Sequence, residues 1–478
     1  MVLYATAQIT YNVLLHPLRR FPGPKSWAAS RITWCVHQYQ GRLHVEILRL
    51  HERYGSVVRV APNELSFTSE SAWRDIYGQR KLEMGKDPIF RLHTPTGAQN
   101  ILVADRETHT RQRRLLAHAF SESALREQEP VLQIYAGKLL ACMAERAQTG
   151  AHINVVDWLT FASFDLIGHM SFGENFGCLE SGTYAPFVAA ITAMASELSV
   201  IQMCKYWGVM GLRMALMPKR VLGQRQRNMK TAMETVQKRI KSGSEHRDFL
   251  HYILRANDEK GMSSAEINVN AFSLSIAGSE STATALSGAF FLLLNHPEAY
   301  KRLVREIRSA HSHTDDITLA STSSLNYLEA VLRETLRMYP PVAITMPRVV
   351  PASPMGGYQI DGDFVPSGIA VGVNHFAASN LSANFSQPDQ FLPERWLTGG
   401  NGDRIYASDV KEASQPFSFG PRNCLGKNIA RAEMRLLLAK LLFAYDWKMD
   451  AGQEGWMDQK VQGFWQKKPL WCKTTRSS

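Results

Sequence analysis

The stretch FSFGPRNCLGKNIA, residues 417–430, surrounds one thiol with what a reactive or metal-binding sulfur needs. Gly420 and Pro421 make a tight turn, Arg422 brings a cation two residues before Cys424, and Gly426 removes a side chain two residues after it. A helix starting near residue 426 would aim its unpaired N–H groups back at the sulfur. That placement predicts a thiol pKa below its usual value of about 8.5. A nucleophilic cysteine needs a base, and no histidine is close in sequence, although the fold could supply one. A thiolate ligand to a flat metal cofactor needs what is present: close backbone approach, amides pointing at sulfur, and a cation for peripheral carboxylates. An inert cysteine buried in a glycine turn explains neither the clearance nor the cation.

Three further groupings carry polar residues where packing alone would not place them. The run Ala277, Gly278, Ser279, Glu280, Ser281, Thr282 interrupts an apolar helical pattern with a glycine that costs about 1 kcal/mol against alanine. A solvent-facing kink is one reading. The other is a local widening that lets ligand and water reach acid and hydroxyl groups able to relay protons. Glu334 and Arg337 share a helix face at i, i+3, an ordinary surface pair unless Arg395 in PERW (393–396) joins them around a buried carboxylate. His109 and Arg113, in HTRQRR, read by themselves as a basic turn of helix.

The elements that would position these residues are mostly helical. A capping box, Ser263 with Glu266, opens a pattern free of proline until Pro297, about 48 Å of helix. A second helix around 325–339 stops at Pro340 and Pro341. A third follows Cys424, with Met434, Leu437, Leu438, Leu441, Leu442 and Tyr445 at helical spacing and Arg431 and Arg435 on another face. Between the last two, residues 354–373 read as a few short strands. The class expected is mainly α with a small β part. No linker, repeat or low-complexity tract divides the 478 residues, so residues 26–478 are expected to form one domain behind a short segment, 1–25.

Composition narrows the setting. The six cysteines are scattered, with no C-x-x-C pair and no zinc-like grouping with histidine, which fits a reducing compartment and mostly buried thiols. The net charge of +11 favours acidic partners, but no nucleic-acid motif is evident, and the basic run from Lys219 to Arg247 reads as a solvated helix face. Residues 2–15 are apolar in flavour yet interrupted by Thr6, Gln8, Thr10 and Asn12. They fall short of the roughly 20 residues a spanning helix needs and lack signal-peptide features, leaving a membrane-surface contact.

Together these pieces resemble the cytochrome P-450 family. Phe417, Gly420, Arg422, Cys424 and Gly426 match its haem-binding loop without a departure. The His109/Arg113, Ala277–Ser281, Glu334/Arg337 and 393–396 motifs stand in the family's order across nearly the whole chain. The wording of FPGP, AGSESTAT, ETLRMYPP and FLPERW is similar to fungal enzymes of secondary metabolism, of the kind that hydroxylates trichothecene-type terpenoids. The resemblance implies haem b with Cys424 as axial thiolate, and propionates held by His109, Arg113, Arg422 and Arg348. Glu334, Arg337 and Arg395 would be a structural cluster, while Glu280 and Ser281 would manage oxygen and protons on the distal side.

Two departures stand out. Serine replaces the usual threonine at 281, losing the methyl that restricts its rotamer, and His109 stands where many membrane-bound relatives carry tryptophan. The implied reaction is insertion of one oxygen atom from O2 into a hydrophobic small molecule, such as a terpenoid or polyketide intermediate. Electrons would come from NADPH through a separate flavoprotein reductase. A haem-thiolate isomerase or dehydratase needing no external electrons is the alternative, disfavoured by Glu280 and Ser281; a non-catalytic haem sensor is a second. The resemblance also places the substrate among residues 86–104, Phe272, Ile276 and 342–346, with Phe90, Leu92, Val342, Ile344 and Met346 as apolar walls and Thr345 as a polar handle. It places reductase docking at Arg111, Arg114, Lys427 and Arg431. The expected location is the cytosolic face of the endoplasmic reticulum membrane, peripheral or with an anchor upstream of this sequence, with a soluble cytoplasmic form as the alternative.

Overall fold

The structure is a computed structural model that describes residues 2–79, 83–90, 97–173, 175–218, 220, 221, 223, 227, 248–255, 261–398 and 404–477. Most of the basic run 219–247 lies outside the described residues.

The long helix, Ser264–Asn295, is the axis of the molecule, and both halves of its capping box form at Ser263 and Glu266. Its second half is buried almost throughout, from Thr282 to Leu293. Small residues make this possible. A Cβ on Gly278 would meet Ile167 of the helix Val155–Phe172 at 3.1 Å, and one on Gly288 would meet the Tyr339 ring at 2.6 Å. The hydroxyls along it are satisfied within the helix: Ser279 donates to Ser275 O at 2.8 Å, Ser281 to Ala277 O at 2.5 Å and Thr282 to Gly278 O at 2.9 Å. The helix stays α across 277–282, without the expected widening. Gly278 serves close helix packing instead.

The helix Asn326–Met338 carries the expected cluster. Glu334 accepts from Arg337 at 2.8 and 2.9 Å and from Arg395 at 3.0 Å, and all three side chains are fully buried. Two members were not expected: Trp396, whose indole donates to Glu334 at 2.8 Å, and Asp409, which pairs with Arg395. Two carboxylates thus face two guanidinium groups, the neutral balance a buried cluster requires.

The helix after Cys424 runs Lys427–Ala444. Tyr445, expected on its apolar stripe, instead begins the strand Tyr445–Met449, which pairs with Trp471–Arg476. The Tyr445 hydroxyl is used there, donating to Leu140 O at 2.8 Å.

A five-stranded sheet lies to one side, in the order Val57–Ala61, Glu64–Phe67, Ala370–Val373, Arg348–Val349, Gly85–Lys86. Glu64–Phe67 and Ala370–Val373 run parallel, and the other neighbours are antiparallel. At the sheet edge Lys86 sits directly across from Arg348.

The segment before the sheet begins with an exposed helix, Val2–Thr10. It is not a loose tail, because Arg59, buried in the first strand, donates to Asn12 O at 2.9 Å and to Pro62 O. Among the described residues no helix is long and apolar enough to cross a membrane. Of the cysteines only Cys178 and Cys472 are fully buried, fewer than expected.

One buried acid lies between the long helix and the helix after Cys424. Glu433 is 1% exposed and accepts from Ser163 Oγ at 3.0 Å. Burial lifts its carboxyl to about 8 against the opposing pull of the Ser163 and Thr282 hydroxyls. A carboxyl raised above its unfolded value of 4.5 stabilises the fold fully below that value and loses the contribution as pH rises towards 8, at about 1.4 kcal/mol per pH unit. Denaturant unfolding of Glu433→Gln between pH 5 and 7.5 should show a slope shallower by about that amount. An unchanged slope would mean Glu433 is ionised in the fold.

Candidate active site

The cysteine loop is built by its backbone. The Cys424 amide donates to Phe417 O at 2.8 Å and the Asn423 amide to Gly420 O at 3.1 Å. Ser418 and Gly420 are left-handed at φ of 61° and 75°. A Cβ on Gly420 would lie 1.9 Å from Tyr77 O, so this glycine seats the loop on the Tyr77–Gly78 backbone rather than clearing space at the sulfur. Gly426 differs. Its φ is −84°, and a Cβ there would meet nothing nearer than Ile429 at 3.5 Å, so neither backbone nor packing demands glycine. The clearance it leaves is a cradle for something other than the chain. Phe417 is half-buried beneath the Arg431 guanidinium, 5.4 Å from its ring centre.

Cys424 itself is accessible, yet enough protein crowds its sulfur for burial to push the thiol above its usual value. The Gly426 amide, Arg113 and Lys427 pull the other way without winning. This corrects the expected lowering: the helix end and cations favour thiolate, but desolvation outweighs them. A metal cation at the sulfur reverses such a balance.

Around the loop converge more cations than acids. His109 and Arg113 lie on one face of the helix Arg106–Ala117, which Asp105 caps by accepting from the Thr108 amide. Arg113 reaches the cysteine loop, donating to Asn423 O at 2.7 Å and Asn423 Oδ1 at 2.6 Å. Arg422 pairs with Glu83 and donates to Ala104 O at 2.7 Å. Arg348 is 5% exposed, with its Nη1 buried and unpartnered among the described residues. Lys86 stands beside it across the sheet edge, where burial, Arg348 and Arg422 bring its ammonium down to about 7 despite Glu83. His109 is held down to about 3 by burial and then by Arg422, Lys86, Arg113 and Arg348, so it is neutral and keeps one N–H to donate. The sequence placed Lys86 only at the start of the substrate segment. Its pairing opposite Arg348 comes from sheet register, which no local motif encodes.

Like charges opposed across a strand pair are destabilising unless an anion lies between them. An orphaned guanidinium nitrogen, a lysine–arginine pair, a neutral histidine donor, the Gly426 cradle and an accessible thiol make a donor set for a planar metal complex bearing carboxylates.

The side chains of the neighbours Glu280 and Ser281 bond to different partners, Ser281 to Ala277 O and Glu280 to Lys467 and Thr284. Ser281 is half-buried with Ala277 exposed one turn before it, an opening in a helix otherwise closed from 282 onward. Glu280 is buried and pairs with Lys467, a partner the sequence reading missed. Of the expected pocket walls, Phe272 packs edge-on to Phe187 with ring centres 5.9 Å apart. Ile276, Val342 and Ile344 are half-buried and Met346 is exposed. The Thr345 hydroxyl already accepts from Asn374 at 3.0 Å. Leu92 and the side chain of Phe90 lie outside what is described.

The profile of the cytochrome P-450 family matches residues 22–471. This chain is a cytochrome P-450. It is 39% identical over 98% of its length to a cytochrome P-450 monooxygenase of Aspergillus oryzae, covering 93% of that protein. The averantin hydroxylase of Dothistroma septosporum is 38% identical over 99% of the chain and 89% of its own length. The versicolorin B desaturase of Emericella nidulans is 40% identical over 98% and 96%. As a P-450 it is a haem-dependent monooxygenase of small molecules, using O2 and electrons from NADPH delivered by a reductase partner. The donor set around Cys424 fits haem, whose two carboxylates answer the surplus of cations.

Of the residues expected to meet the reductase, Arg111 is committed elsewhere, donating to Glu266 Oε1 and Gly261 O at 2.5 Å each. Arg431 leans towards Glu329 at 3.9 Å. Arg114 remains exposed and Lys427 half-buried.

Lys86→Met separates the two roles of the cation cluster. In the haem-free chain it relieves repulsion, so thermal unfolding should shift upward or stay level. In the loaded P-450 it should speed haem transfer to an acceptor protein by about tenfold, equivalent to about 1.4 kcal/mol. Unchanged transfer would place Lys86 outside the haem site.

Proposed function

We propose that this P-450 performs an oxidative tailoring step on a bulky, mostly hydrocarbon metabolite, such as a terpenoid or polyketide intermediate. Cys424 ligates the haem iron, and His109, Arg113, Arg348, Arg422 and Lys86 hold its carboxylates. The observation that carries the reading is the convergence of those cations on the loop of an accessible thiol, with Arg348 Nη1 buried and unanswered. Phe417, Gly420 and Gly426 shape the loop. When bound, haem supplies activation of O2 by two electrons and two protons.

The chain's own residues supply the rest. Glu280 and Ser281 manage protons beside the exposed Ala277 turn, Ser281 through Oγ, which now bonds Ala277 O and can turn outward. Ile276, Phe272, Val342 and Ile344 offer apolar walls for the substrate. Names among the relatives include a hydroxylase and a desaturase, so hydroxylation and desaturation are both within this type of site. Reductase meets the face bearing Arg114 and Lys427.

Residues 1–25 form a membrane-proximal segment before the haem domain, 26–478, seated on the cytosolic face of the endoplasmic reticulum. Val2, Leu3, Leu14 and Leu15 are well exposed there, as are Ile32 and Tyr39 on the helix Ile32–Gln40 and Trp207, Leu212 and Leu216 further along the chain.

Reduced protein under carbon monoxide should show the red-shifted Soret band of thiolate-ligated haem, and Cys424→Ala should lose it. A histidine-type band in the folded protein sinks the reading. Ser281→Ala should retain that band while diverting reducing equivalents to peroxide, and Ser281→Thr should be tolerated. Unchanged stoichiometry in the alanine variant would move proton handling away from Ser281.

A further inference from the structure

Next to Ser281 the long helix carries an arrangement that no motif encodes. Glu280 Oε1 is in contact with Lys467 Nζ, and both side chains are less than one-tenth exposed. Lys467 also donates to Thr284 Oγ1 at 3.0 Å, and Thr284 in turn donates to Glu280 Oε1 at 3.4 Å. Every contact falls on one oxygen. Glu280 Oε2 is buried and has no hydrogen-bond partner among the described residues.

Lys467 does not reach this place by chance of a flexible tail. It follows the strand Phe464–Trp465 by two residues. Trp465 stacks on Tyr339 with ring centres 4.3 Å apart and donates to Pro340 O at 2.7 Å. Tyr339 rests on Gly288, where any Cβ would collide with its ring. The hairpin is therefore seated on the same helix that carries Glu280, eight residues further on. Burying an ammonium costs several kcal/mol unless a fixed counter-charge compensates. A residue needed only for packing would be apolar.

We propose that Lys467 is a positioning residue for proton delivery: it pins Glu280 through Oε1 as a carboxylate, leaving Oε2 as the atom that takes up and releases protons beside Ser281. The inference rests on the roles given above to Glu280 and Ser281. Two phenols also lie within reach of the Glu280 charge. Tyr339 is raised by burial first and then by Glu280, while Tyr184 is raised by burial and Asp157, with Glu280 adding to it. Both are protonated donors already in use, Tyr339 to Gln459 at 2.9 Å and Tyr184 to Asp157 at 2.7 Å, so Lys467 is the cation in contact with Glu280.

Lys467→Met tests this in two independent ways. A carboxyl left buried without its ammonium binds a proton. Infrared difference spectra of the variant against the parent should therefore gain a carboxylic-acid C=O band that vanishes in Lys467→Met/Glu280→Gln. That readout needs no haem and no substrate. In the loaded enzyme with reductase and NADPH and no added substrate, the ratio of peroxide released to water formed should rise about tenfold, short of the roughly hundredfold that loss of a general acid–base group itself costs. Lys467→Arg should restore the parent's behaviour. The carbon monoxide spectrum should stay of the thiolate type in every variant. Its absence from the parent would defeat the haem reading, whereas its presence with an unchanged peroxide ratio, with or without the new band, would overturn the role of Lys467 alone. If Lys467→Met does not fold, Thr284→Val removes one arm of the bridge and should move the peroxide ratio in the same direction to a smaller extent; no movement there also overturns the proposal.

Discussion

A buried carboxylate with four claims on it holds this molecule in register. Glu334 accepts from Arg337, Arg395, Trp396 and the Leu392 amide, while Arg395 reaches on to Asp409. These partners come from one helix and from two stretches of chain, 392–396 and the turn at Asp409, between the sheet and the cysteine loop. Such segments have no ladder of backbone bonds to fix them. A fully satisfied, charge-neutral cluster does so instead, and its cost in desolvation is offset only while every member is present. The loop that presents Cys424 follows directly, and Gly420 lands it against the Tyr77 carbonyl.

The second constraint is one of surplus rather than balance. Lys86, Arg348, Arg422 and Arg113 gather near one another with Glu83 as their nearest acid among the described residues. Their mutual repulsion opposes folding, lowers the affinity of His109 and Lys86 for protons and leaves Arg348 Nη1 without a partner. In the proposed site a dianionic cofactor would supply the stability given up locally, which makes that site part of the fold's own electrostatics.

Sequence revealed most where chemistry is local. The capping box at Ser263, the turn around Cys424, the i, i+3 pair at Glu334 and Arg337 and the helix stops at Pro340 and Pro341 are short-range signals, and each has its structural counterpart. What escaped depends on distance along the chain. Lys86 meets Arg348 through strand register across more than 260 residues, and Lys467 meets Glu280 through a hairpin near the far end. Two local readings also failed because a competing force was larger. Helix end and cations did not lower the Cys424 thiol, since burial outweighs them. Gly278 did not open the long helix, since its missing side chain is taken up by Ile167. Tyr445 kept a helical period by coincidence while belonging to a strand.

The contact between Gly278 and Ile167 bears on how a scaffold of this kind can diverge. In the proposed site one wall is a helix with little slack on that flank: a larger residue at 278 presses on the Ile167 side chain of a helix that is itself largely buried. Evolution or engineering of substrate range therefore has little freedom on that side. Under the proposed reading it falls to Phe187 and to Val342, Ile344 and Met346, whose side chains are partly exposed and can change size at less cost to the core. In that proposed site the tight flank would keep the reaction, and the yielding side chains would choose what undergoes it.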